Sequence, residues 1–344
     1  MAAPTRHAPD LPPIVFGSAT LGNLFAAYPD EQKLAIARAW IQSVPKPVHI
    51  DTAGKYGAGL ALECIGRNLR ELGVAADEVV ISNKLGWVRK PLEGDEPLFE
   101  RGIWHGLQHD AEQQISYDGI LRCWEEGNEL LGEPYAARLL SVHDPDEYLA
   151  AAADEDDRFR RWDDIQGAYR ALAELRDRGE ADAVGVGAKD WRTIVEVDKR
   201  VDLDWVMIAN SLTLYSHPTE LLAFVDSLRE RGVPAINSAV FHSGFLVGGD
   251  FFDYHKQSPS NPEDLERLAW RERFFKVCRT HGVEPAAACM HFAVSPPGVV
   301  ALAISSSRPE RIASDVAVMR SPPPQAFWEE LKTRRLIDPT SSPV

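Results

Sequence analysis

The feature that most constrains the fold is an alternation of two kinds of segment. Eight short apolar runs, at 14–16, 48–50, 79–81, 139–142, 183–186, 205–208, 234–236 and 299–302, are separated by stretches whose apolar residues recur at helical spacing. Those stretches cover 31–41, 60–72, 120–131, 162–178, 191–199, 218–231, 264–281 and 309–319. Gly73, Gly132, Gly179, Gly232 and Gly282 fall just past five of them, where a helix commonly ends in a left-handed residue. Strands that are apolar throughout need cover on both faces, so the pattern predicts a parallel α/β sheet wrapped by helices. Eight repeats favour closure over a doubly wound sheet, giving a (β/α)8 TIM barrel in one domain, 1–344.

Three connections are longer than a barrel needs, 86–116, 144–161 and 241–263, and each follows a strand. Loops leaving the carboxyl ends of barrel strands build the functional mouth, so these are its expected walls. Residues 325–336 read as one extra C-terminal helix, 1–13 as a flexible arm and 338–344 as a polar tail.

No apolar run approaches the roughly 20 residues that span a bilayer. The start lacks the cationic-then-apolar pattern of a signal peptide, so the cytoplasm is the default. A net charge of −15 argues against nucleic acid or an anionic membrane as partner. Cys64, Cys123, Cys278 and Cys289 are widely spaced and suit a reducing compartment, with no metal-ligand pattern among them. The oligomeric state is not legible.

Polar residues at strand ends are the candidates for chemistry. Asp51 closes the second run, Lys84 and His143 stand just after the third and fourth, and Tyr56 lies in the loop entering the second helix. They make a proton-handling set. A tyrosine with an ordinary pKa of about 10 is a poor proton exchanger near neutrality, and an adjacent ammonium lowers that value. Lys84 is expected to do this, Asp51 to keep Lys84 charged, and His143 to orient a substrate oxygen or share the proton.

The stretches FGSATLGNL (16–24), DTAGKYG (51–57), GRNL (66–69), SNK (82–84) and VHDP (142–145) resemble the aldo-keto reductase superfamily, over about 11–319. The resemblance implies that Tyr56 is the general acid/base of a nicotinamide-dependent hydride transfer. It implies too that Lys84 and Asp51 tune Tyr56 and that His143 sits at the substrate. There is no GxGxxG fingerprint, so a Rossmann site is not expected.

The resemblance instead implies cofactor contacts at Gly187, at Ser238, Phe241, Ser243 and Gly244, and at Ser305, Ser306, Ser307, Arg311 and Asp315. Three positions depart from the family. Gly187-Ala188-Lys189 replaces an Asn that meets the nicotinamide amide, Ser305 stands where NADP users carry a lysine, and Asp315 stands for an Asn. The last two favour NAD over NADP.

Within the superfamily, the opening motif, VHDPD after the fourth strand and NSAVFHSGFL (237–246) are similar to the aldose 1-dehydrogenase branch and also to a pyridoxal dehydrogenase group. The implied substrate is a small sugar or aldehyde, with Trp87, Trp104 and Asp144 expected to bind it, and Phe99, His105, His109, His242 and Tyr254 nearby. Two other classes compete. A metal-dependent barrel hydrolase needs clustered His, Asp and Glu at strand ends, where only Asp51 and His143 qualify. A non-catalytic barrel that binds NAD(H) would leave the proton set idle.

Overall fold

In the computed structural model, which describes residues 7–340, eight parallel strands close into a barrel in sequential order. They are β1 (Ile14–Gly17), β2 (Val48–Ala53), β3 (Val79–Leu85), β4 (Ala137–His143), β5 (Ala183–Ala188), β6 (Trp205–Ala209), β7 (Ala235–Ser238) and β8 (Val299–Ile304). Each matches one of the eight apolar runs. The helices are α1 (Asp30–Ser43), α2 (Leu60–Glu71), α3 (Tyr117–Leu131), α4 (Pro145–Ala150), α5 (Glu155–Asp177), α6 (Trp191–Asp198), α7 (Thr219–Glu230), α8 (Pro262–His281), α9 (Pro285–Ala293), α10 (Pro309–Val318) and α11 (Gln325–Thr333).

Barrel closure fixes which side chains share a rim. Ala53 of β2 pairs with Lys84, Lys84 with Ser141, His143 with Gly187, and Gly187 with Met207. Ala209 pairs with Ser238, which pairs in turn with Ala303. The inside is filled by Val15, Leu139, Ala183, Trp205, Met207, Ile236, Ala301 and Ala303. Trp205 is fully buried, and a Cβ on Gly185 would stand 2.5 Å from its indole, so the indole occupies space that any side chain at 185 would need.

Two helices, α4 and α9, lie outside the sequence pattern. Eight of the nine residues of α9, Ala286 to Ala293, are buried, so it has no polar face to produce an amphipathic period. It is this helix, following the expected α8, that precedes β8. The helix α5 begins at Glu155 rather than near 162, because its first turns are polar all round; the Asp154 side chain caps it by accepting from the Asp157 N–H at 2.7 Å. The expected C-terminal helix is α11, whose Phe327 and Trp328 pack with Phe245, Phe274 and Phe292 in a second core.

The three long connections also carry structure. The first holds a hairpin of Trp87–Pro91 against His109–Gln113, the second holds α4, and the third holds a small hairpin of Phe251–Phe252 and His255–Lys256. Residues 1–6 and 341–344, parts of the expected arm and tail, lie outside the described residues. The described part of the arm is anchored: the His7 N–H donates to Asp204 at 3.0 Å, and Leu11 packs on the barrel interior. No helix among the described residues is long and apolar enough to cross a membrane.

Candidate active site

A cleft of about 380 Å³ opens at the carboxyl ends of the strands. Its lining gathers residues from four separate sequence regions: Asp51, Tyr56, Lys84 and His143 at one end, and Arg311 and Asp315 at the other. Gly187, Ser238, Phe241, Ser243, Gly244, Ser305, Ser306 and Ser307 line it between them, as do Trp104 and Asp144.

At the proton-handling end, Lys84 Nζ donates to Asp51 Oδ2 at 2.6 Å and to the Thr52 carbonyl at 3.2 Å, with both charged side chains almost wholly buried. The same ammonium lies 4.6 Å from the centre of the Tyr56 ring. The His143 ring meets Tyr56 edge-on at 5.7 Å. Its Nδ1 is buried without a hydrogen-bond partner among the described residues.

The expected direction of the Tyr56 shift is reversed. Burial raises its pKa well above the ordinary value, the Asp51 and Asp144 charges raise it further, and Lys55 and Lys189 pull weakly the other way. Lys84 is not among the larger causes of the shift, its charge being paired with Asp51 at contact distance. Burial likewise drives the His143 pKa well down, leaving a neutral imidazole at neutral pH. The Asp51 carboxyl is raised by burial, against the pull of Lys84.

Beside this set lies a network that the sequence reading did not assemble. Lys55 Nζ contacts Glu147 at 2.6 Å, Glu100 at 2.8 Å and Asp144 at 3.2 Å, while Lys189 Nζ contacts Glu147 at 2.5 Å and Asp144 at 3.5 Å. Burial disfavours the Lys55 and Lys189 charges, but the surrounding carboxylates overcome it and raise both pKa values. Burial also opposes ionisation of Asp144, yet His143, Lys189 and Lys55 hold its pKa well below the carboxylate range. Of these the two ammonium groups do so at neutral pH, where the imidazole is uncharged. The available signal was Lys55 inside DTAGKYG, next to Tyr56 at the barrel mouth, since a lysine buried there needs carboxylates beside it.

Trp87 is a correction. It does not line the cleft; its ring faces the Lys55 ammonium at 5.0 Å and packs on Phe99. Trp104 does line it, its ring 6.0 Å from that of Tyr56, with its Nε1 donating to Glu100 at 2.7 Å. His105 and His109 do not share a helix: His109 begins a hairpin strand, and no metal-binding group of His, Cys, Asp or Glu occurs among the described residues. His242 bonds Thr213 Oγ1 at 2.8 Å and Asp253 at 2.9 Å, which ties down the small hairpin bearing Tyr254. Asn210, which follows β6, also lines the cleft and was not anticipated.

The far end suits a dinucleotide. Ser305, Ser306 and Ser307 precede α10, the Thr20 and Ser305 hydroxyls are 3.2 Å apart, and Arg308 and Arg311 border the cleft. Gly244 sits at φ +90° with open space where a Cβ would stand, so backbone can approach a ligand there. Hydroxyls, guanidinium groups and a helix start form a donor set that fits phosphates and ribose. Asp315 is the one carboxylate there, 3.6 Å from Arg311, and burial raises its pKa.

The chain is 29% identical to a pyridoxal 4-dehydrogenase of Microbacterium luteolum over 337 residues, covering 93% of each protein. It is 27% identical to a D-threo-aldose 1-dehydrogenase of a Pseudomonas species over 343 residues, covering 95% of each. Among solved structures, the fold is similar to a glycerol dehydrogenase, AKR11B4, from Gluconobacter oxydans (TM-score 0.70, 17% identity, 98% of each chain). It is similar also to the holo form of an aldo-keto reductase, AKR11C1, from Bacillus halodurans (TM-score 0.67, 17% identity, 96% of this chain and 93% of that one). The aldo/keto reductase family profile matches residues 13–334, nearly the whole chain, and this protein is a member of that family.

Proposed function

We propose that this aldo/keto reductase oxidises an aldose at C1 to its lactone, with NAD favoured over NADP and Tyr56 as the proton-transferring group. The observation that carries the reading is the buried Asp51–Lys84 pair, 2.6 Å apart and set against the Tyr56 ring beside a neutral imidazole. Bound in the cleft, a nicotinamide dinucleotide supplies hydride exchange at the substrate carbon. Gly187, the Ser238–Gly244 loop, the 305–307 serines and Arg311 would hold it.

The proton steps belong to the chain. In reduction, the Tyr56 phenol, which keeps its proton at neutral pH, donates to the carbonyl oxygen while His143 hydrogen-bonds that oxygen. In oxidation the phenolate must form first, and it takes the hydroxyl proton of the substrate. Lys84 faces the ring at 4.6 Å, but with its charge paired to Asp51 it offers that anion little net stabilisation. Aldoses and pyridoxal share a form relevant here: each closes an internal hydroxyl on its aldehyde as a cyclic hemiacetal, whose oxidation gives a lactone. Pyridoxal is therefore the second substrate to test.

Ser305 in place of a lysine, and the Asp315 carboxylate beside Arg311, both disfavour a 2′-phosphate and support NAD. The net charge of −15 supports a small-molecule partner over nucleic acid, and four unpaired buried cysteines suit the cytoplasm, with the chain acting as one barrel domain. Aldoses and pyridoxal assayed with NAD and NADP test the reading. Tyr56→Phe is expected to abolish turnover while sparing cofactor binding. Turnover within tenfold of the parent overturns the Tyr56 role, and a preference for NADP above tenfold overturns the cofactor choice.

A further inference from the structure

Glu100 takes no part in the proton transfer described, yet the structure holds it in an unfavourable conformation. Its φ is +44°, a left-handed geometry in which the glutamate Cβ crowds its own backbone. Such outliers persist only where surrounding contacts over-determine them, and they gather at ligand clamps. The contacts are present. Glu100 Oε1 lies 2.8 Å from Lys55 Nζ and 3.7 Å from Lys189 Nζ, while its Oε2 accepts from Trp104 Nε1 at 2.7 Å. Burial opposes the Glu100 charge, but Lys55 and Lys189 lower its pKa, so it is a carboxylate at neutral pH.

A second residue repeats the arrangement from another loop. Asp144, after β4, also has a left-handed φ, +47°, and meets the same two ammonium groups at 3.2 and 3.5 Å. Two strained carboxylates thus converge on one cation pair, one from the β3 loop and one from the β4 loop. Glu100 borders both the cleft and an adjoining depression of about 910 Å³, and its side chain is 22% exposed, so it faces solvent or ligand as well as the network.

We infer that Glu100 is a specificity-determining positioning residue: it buckles the β3 loop onto Lys55, sets Trp104 against Tyr56, and with Lys189 presents polar groups to substrate hydroxyls remote from the reacting carbon. The inference rests on the cleft being a carbonyl-substrate site. An aldehyde with no other hydroxyl would have no group to pair with Glu100 and Lys189, whereas a sugar would also use this wall.

The test compares the full-length parent with Glu100→Gln and Glu100→Asp, using an aldose and an aldehyde lacking other hydroxyls. Glu100→Gln is expected to raise KM for the aldose at least tenfold with kcat within threefold, and to leave both constants for the plain aldehyde within threefold. Glu100→Asp keeps the charge and tolerates left-handed backbone better, so it should recover most of the loss. Hydrogen exchange across 98–107 should quicken in Glu100→Gln and stay near the parent rate in Glu100→Asp. Equal losses on both substrates, or exchange unchanged in Glu100→Gln, overturn the inference. A parent that accepts no aldose refutes the proposed substrate alone; the exchange measurement then decides the clamp by itself.

Discussion

Replacing Lys84 by methionine keeps the length and apolar bulk of the side chain but removes its ammonium group from a pocket where it is only 3% exposed. Asp51 then loses its ion-pair partner, and its other oxygen, Oδ1, already lacks a hydrogen-bond partner among the described residues. Two outcomes are open to the carboxyl. If it stays charged, breaking a buried pair costs about 3–5 kcal/mol. If it takes up a proton instead, the cost is about 1.4 kcal/mol for each pH unit above its unfolded pKa of about 3.9, or roughly 4 kcal/mol at pH 7 and roughly 1.5 at pH 5. The protein follows the cheaper course, so the loss should grow with pH. The sign follows from linkage: burial raises the folded pKa of Asp51, so the folded state binds more protons than the unfolded one and stability falls as pH rises from about 4. Urea unfolding of parent, Lys84→Met and Asp51→Asn/Lys84→Met at pH 5, 6 and 7 measures this. The double variant should recover most of the loss at pH 7 and little at pH 5. A pH-independent loss, or one that Asp51→Asn fails to relieve, would refute the reasoning.

Two further outcomes follow from the same geometry. A Cβ on Gly187 would stand 2.8 Å from Lys84 Cδ, so Gly187→Ala must displace that side chain; kcat should fall tenfold or more, with about 1–3 kcal/mol lost from stability, and a parent-like kcat would show that the Lys84 position is not critical. Because the Tyr56 pKa is raised, carbonyl reduction should be flat between pH 7 and 9 while oxidation climbs with pH, and a reductive rate that falls across that range would mean that the phenol is instead acidified.

Much of the site was legible before any coordinates. Asp51, Lys84 and His143 could be placed together because a parallel barrel sends every strand's carboxyl end to one mouth, so chain position relative to a strand specifies location. What was not legible came from loops and from all-buried segments. The helix α9 lacks a polar face, and Trp87, placed by the sequence reading at the substrate, packs behind Lys55 because its hairpin turns the ring inward.

The electrostatics divide the same way. Residue types and spacing alone determined that the chain closes a barrel and brings a tyrosine, a lysine, an aspartate and a histidine to its rim. The direction in which the tyrosine titrates was decided by tertiary structure, because it depends first on how deeply the phenol is buried and then on the Asp51 and Asp144 carboxylates placed around it. Glu100, Lys55, Lys189 and the neighbours Asp144 and Glu147 likewise come from four separate connections, and only the folding of these over one cleft makes them a single charged wall. Periodicity reports what each element does with its own neighbours; long-range charge pairing leaves no period to read.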